Sequence, residues 1–122
     1  MFINMEIKIN NNILNVKLCI TPHSIRNGMM GQVFDETFNG MLFIMPEKTE
    51  QSFWMYKCII PLDIIMIDDN IITKIHTNCP TCEDKSDCIS YQGYGDKVLE
   101  IYGGSCEKMN IFEGDDVFFS FK

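Results

Sequence analysis

Apolar side chains recur at every second position in short runs along most of the chain, and this two-residue period is what most constrains the fold. Met5, Ile7 and Ile9 alternate with Glu6 and Lys8, the pattern of a strand with one buried face. Asn10, Asn11 and Asn12 follow as turn residues, because asparagine tolerates positive φ, and 13–20 reads as the returning strand. Further strands are predicted over 41–45, 51–56, 62–67, 71–77, 97–102 and 116–121, bounded by Pro46, Pro61, the Asp68-Asp69-Asn70 turn and Gly114-Asp115. Helical signals are brief. Thr21-Pro22 suits an N-cap and first position, and Gly28 a C-terminal stop. One helical turn is predicted over 105–109, and 78–96 reads as a polar loop. About eight short strands with one or two short helices predict a mainly β fold, an antiparallel β-sandwich or barrel. There is no βαβ rhythm to suggest a parallel sheet.

A chain of 122 residues without linker, repeat or low-complexity tract predicts a single domain over 1–122. The 17 acidic and 10 basic residues give a formal charge of −7. That balance disfavours nucleic acid, whose phosphates are met by cations, and anionic membrane surfaces. No apolar run approaches the roughly 20 residues of a membrane helix, and the start lacks the basic and long apolar regions of a secretory signal. The expected location is cytoplasmic, where thiols stay reduced.

Three groups of residues carry possible chemistry. In 51–56, alternation puts Phe53 and Met55 on one face and Ser52, Trp54 and Tyr56 on the other. Trp54 and Tyr56 are large groups with polar handles, suited either to ligand contact or to packing in the core. Asp63 interrupts an apolar strand. It serves either a ligand or local structure, the latter by accepting backbone amides or pairing with Arg26 or Lys57. Met29 and Met30 lie between Gly28 and Gly31, where the backbone can approach a ligand closely; methionine also fills core gaps. Together Trp54, Tyr56, Met30, Asp63 and Arg26 form the expected ligand groove.

The second group is the Cys79, Cys82 and Cys88 loop, with His76 three residues upstream. Thiolate and imidazole ligands at such spacings suit tetrahedral zinc, so zinc is the one cofactor these residues suggest. A disulfide, free thiols and a dithiol redox pair at Cys79 and Cys82 are the alternatives. Cys19, Cys58 and Cys106 sit in apolar or small-residue contexts and are expected to be buried thiols. Third, His23 beside Arg26 is a general-base candidate without an evident partner. No nucleophile-elbow or His-Glu-x-x-His motif is present, so no catalytic residue is assigned and the balance leans away from an enzyme. The expected function is a non-enzymatic module that binds a small molecule or peptide. The alternatives are a zinc protein, structural or hydrolytic, and a protein-interaction module.

Several blocks in the chain resemble one family. Ser52-Phe53-Trp54-Met55, Ile60-Pro61-Leu62-Asp63-Ile64-Ile65 and Ile67-Asp68 form the most distinctive block. Gly28-Met29-Met30-Gly31, Gly40-Met41-Leu42-Phe43, Val98-Leu99-Glu100 with Gly103, and Ile111 with Gly114-Asp115 and Val117 keep the same order. In these blocks the chain resembles the domain of unknown function 192 family over roughly 5–121. The resemblance implies a β-sandwich-like fold and no particular activity. Tyr56, Lys57 and Cys58 depart from the family's usual Lys-Asn-Thr, and Gln32 stands where a basic residue is common, which implies a different ligand if those positions shape a site.

Overall fold

β1 (Asn4–Ile9) and β2 (Asn12–Cys19) form the N-terminal hairpin, turning at Asn10, whose φ is 57°. The structure is a computed structural model and describes residues 4–121. After β2 come α1 (Pro22–Asn27), β3 (Gly40–Phe53), β4 (Leu62–Asp68), β5 (Ile71–Cys79), a 3-10 turn (Lys85–Asp87), β6 (Tyr91–Tyr102), α2 (Ser105–Met109) and β7 (Val117–Phe121). The strands form one seven-stranded sheet in the order β5-β4-β6-β3-β2-β1-β7.

The expected mainly β class with two short helices is what the chain adopts, with two corrections. First, the sheet is mixed. β2 and β3 run parallel, from Val16 beside Gly40 to Cys19 beside Phe43. Parallel neighbours need a crossover of a dozen or more residues, and 20–39, including α1, supply it. The two-residue period fixes which face a side chain takes, not which way a strand runs. Second, 41–45 and 51–56 do not form separate strands. Through residue 53 they are one strand, β3, which pairs with β6 on both sides of an irregularity between Ile44 and Thr49. Pro46 lies in that irregularity, where its missing N–H interrupts no ladder bond.

β6 begins at Tyr91, inside the predicted loop. Gly93 and Gly95 obscured it, since glycine reads as a breaker. Both are there for space: a Cβ on Gly93 would strike the Met66 side chain, and one on Gly95 would strike the Ile67 carbonyl.

The sheet curls until its ends meet at a corner. Ile72 N–H donates to the Asp115 carbonyl at 3.0 Å, and Val117 N–H donates to the Asn70 carbonyl at 2.8 Å. No continuous ladder joins β5 to β7, so the barrel is not closed. One apolar layer, with Ile7, Leu42, Ile65, Leu99 and Ile101, fills the space inside the curl. A second packs on the opposite face, where Met41, Phe43, Ile64, Met66 and Val98 are covered by Met29, Phe34 and Met55. Each fully buried side chain of this kind contributes about 1.5–3 kcal/mol. No helix among the described residues is long and apolar enough to cross a membrane.

Candidate ligand-binding site

The second apolar layer is not sealed. Its cover comes from two short stretches, and their local chemistry sets the gap between them. The first is α1 and its exit. The Thr21 hydroxyl accepts the Ser24 N–H at 3.1 Å, and the Ser24 hydroxyl accepts the Thr21 N–H at 3.0 Å, a reciprocal cap around Pro22. Gly28 ends the helix at φ 46°, and a Cβ there would press on the Phe43 ring at 3.1 Å, so only glycine lets the chain turn this close to the sheet. Met29 then points into the core, and Met30 forms an antiparallel bridge with Cys58.

The second stretch is 54–58, leaving the end of β3. Gly31 N–H donates to the Lys57 carbonyl at 3.0 Å, and Lys57 N–H to the Cys82 carbonyl at 3.0 Å. These bonds tie the two stretches to each other and to the loop after β5. Between them lies a cavity of about 230 Å³. Trp54, Tyr56, Met30 and Arg26, which come from separate parts of the sequence, all line it. Trp54 is 45 % exposed, which rules out a core role, and its ring lies 5.1 Å from that of Tyr56. Phe43 and Phe53, edge to face at 4.9 Å, form an apolar wall. Arg26 is exposed at the rim.

Glu100 of β6 also lines the cavity, and it is only 3 % exposed. Among the described residues, no hydrogen bond or ion pair reaches its carboxyl group. Burial pushes its pKa from the ordinary 4.5 up to about 8, because the charged form loses its hydration. The thiols of Cys19, Cys58 and Cys79 are close enough to feel a negative charge on Glu100. Burial, first, and that charge, second for Cys58, push Cys58 to about 12. Cys19 and Cys79 rise to about 11, again mainly through burial. Thiols held this high are protonated at neutral pH and are poor nucleophiles.

The family model described as an uncharacterised conserved region, domain of unknown function 192, matches residues 5–119. The chain belongs to the domain of unknown function 192 family. No curated protein matches it significantly. Two crystal structures share its fold. One, from Sinorhizobium meliloti 1021 and provisionally described as a transcription regulator, is 24 % identical with a TM-score of 0.81, over 98 % of this chain and 94 % of that one. The other, a protein of unknown function from Novosphingobium aromaticivorans DSM 12444, is 26 % identical with a TM-score of 0.76, over 96 % and 84 % respectively.

Asp63, expected in the groove of this family member, lies elsewhere. It is fully buried on the opposite face of the sheet from Glu100, because it alternates with Ile65 and Ile67 of the inner layer. Its carboxylate accepts the N–H groups of Asn78 at 2.8 Å, Gly104 at 2.9 Å and Cys106 at 2.8 Å. It therefore pins α2 and the end of β5 to β4, with neither Arg26 nor Lys57 involved. Glu100 is the residue that sequence reasoning missed. The signal was present in Val98-Leu99-Glu100-Ile101, where alternation puts Glu100 on the same apolar face as Val98.

The expected zinc ligands are not brought together. Cys82 and Cys88 form a disulfide, contrary to the expectation of reduced thiols. Cys79 is buried with its Sγ donating to the His76 carbonyl at 3.5 Å. His76 Nε2 donates to the Gln92 carbonyl at 2.7 Å, and its ring packs on Tyr91. The Cys79–Cys82 redox pairing falls with the same observation, since Cys82 is bonded to Cys88. Cys19, Cys58 and Cys106 are buried free thiols, as their contexts suggested. His23 lies on the exposed side of α1, its ring against the Asn27 amide at 2.9 Å, and does not line the Trp54 cavity. Asp68, Asp69 and Asp96 form an acidic cluster already met by ammonium groups: Lys48 pairs with the first two at 2.8 and 3.0 Å, and Lys97 with Asp96.

Proposed function

We propose that this chain is a non-enzymatic binding module that holds a small molecule in the cavity between α1 and Trp54. The observation that carries this reading is the convergence of Trp54, Tyr56, Met30 and Arg26 on one open cavity, with Trp54 exposed there. The raised thiol pKa values and the position of His23 outside the cavity leave no activated thiol and no histidine base among its lining residues, which supports binding over nucleophilic catalysis. The net charge of −7 gives a nucleic-acid role no support.

Trp54 is the single tryptophan of the chain, so its emission reports directly on the site. The test is a titration of small-molecule panels against Trp54 fluorescence, with thermal denaturation of wild type and Trp54→Ala alongside. A ligand that shifts the emission should raise the melting temperature of the wild type and leave that of folded Trp54→Ala unchanged. Unfolding of Trp54→Ala would assign the ring to structure, and a panel with no effect on either signal would overturn the proposal.

A further inference from the structure

The molecule treats its two fully buried carboxylates differently. Asp63 receives three backbone N–H groups. Glu100, only 3 % exposed, receives no donor from the described residues, and it borders the cavity. Buried polar groups are almost always satisfied, and an unpaired buried carboxyl is costly. A carboxyl left in this state beside an opening is free to take a partner from outside the chain.

The walls indicate what kind of partner. Phe43, Phe53 and Trp54 present aromatic rings, and Met29, Met30 and Met45 present thioethers. Aromatic faces attract cations within about 6 Å of the ring centre, and such attraction strengthens away from water. The Tyr56 ring already carries the Lys57 and Lys85 ammonium groups at 5.4 and 5.3 Å on its own account, so Trp54 is the open ring. At about 230 Å³, the cavity is smaller than the roughly 300–1,000 Å³ of sites for drug-sized ligands.

Resting on the binding-site reading above, we infer that the occupant is a small organic cation, a primary or methylated ammonium, whose charge pairs with Glu100 while its alkyl groups lie against Trp54 and Phe43. Arg26, exposed at the rim, forms no ion pair with Glu100. The groups facing Glu100 are the thiols of Cys19, Cys58 and Cys79, besides the apolar residues of β3 and β4, so Glu100 is the group that changes charge near neutrality. Burial keeps it protonated at pH 7. Its pairing with an ammonium therefore transfers its proton to the buffer.

The test uses the full chain with tetramethylammonium and n-butylammonium as probes, and 1-butanol and butyrate as neutral and anionic counterparts. Trp54 fluorescence and titration calorimetry at pH 7 are the readouts. The ammonium probes should bind saturably, at least tenfold tighter than 1-butanol, with about one proton released, as measured from the dependence of the heat on buffer ionisation. Glu100→Gln should lose the tenfold preference and the proton release while keeping its melting transition. Equal or tighter binding of 1-butanol or butyrate would overturn the cation inference and leave the pocket standing. No response from any probe, with a bare mass in native mass spectrometry, would overturn both.

Discussion

Asp63 and Glu100 lie on the neighbouring strands β4 and β6, on opposite faces of the sheet, and among the described residues only Asp63 receives donors. This difference has a consequence in the absence of ligand. The folded pKa of Glu100, about 8, lies above its ordinary 4.5. Folding therefore favours the protonated form, and the associated stability is fully present below pH 4.5 and lost as pH rises to about 8. At about 1.4 kcal/mol per pKa unit, the loss is on the order of 5 kcal/mol across that window. Glu100→Gln should flatten the fall in melting temperature between pH 5 and 8. An unchanged slope would show that the carboxyl gains a partner in solution. At this scale Trp54, Tyr56, Arg26 and Met30 were grouped from the sequence, and all four line one cavity. Asp63 was readable as a buried acid but not as belonging to the other face, since its face depends on which cluster β4 joins.

At the scale of elements, β3 and β6 form the axis of the sheet and carry both the floor and one wall of the cavity. The two-residue period found most strands, and Thr21, Pro22 and Gly28 marked both ends of α1. The first half of β6 was hidden because its packing demands the residue type that reads as a loop. Gly95 illustrates the demand. Its neighbour is the Ile67 backbone, which cannot swing aside as a flexible side chain can. Gly95→Ala should therefore cost about 1–3 kcal/mol as an overpacking substitution, measured by urea denaturation. A stability equal to wild type would mean that the β4–β6 crossing relaxes freely.

For the whole molecule, the cysteines divide by depth. Cys19, Cys58, Cys79 and Cys106 are buried free thiols, and Cys82 and Cys88 are bonded. A thiol reagent should find no rapidly reacting group in the native protein, four after denaturation, and six after denaturation with reductant. Rapid reaction of two native thiols would show that the 82–88 bridge is open. Sequence reasoning kept the disulfide as an alternative but ranked it low on the expected compartment, an argument that says nothing about geometry; the fold places these cysteines with their Cα atoms 5.6 Å apart. The mixed direction of the sheet was also out of reach, since it depends on how the chain returns rather than on any local pattern.

That return path ties topology to recognition. Two strands that run side by side in the same direction cannot be joined by a tight turn, so β2 and β3 oblige the chain to travel across one face of the sheet. The traveller is the segment that bears α1, Gly28 and Met30. Roofing over the acidic floor is thus enforced by connectivity, whereas the roof's own side chains are free to vary. Redesigning specificity in this scaffold therefore comes down to rewriting an external strap while the sheet beneath it is left alone.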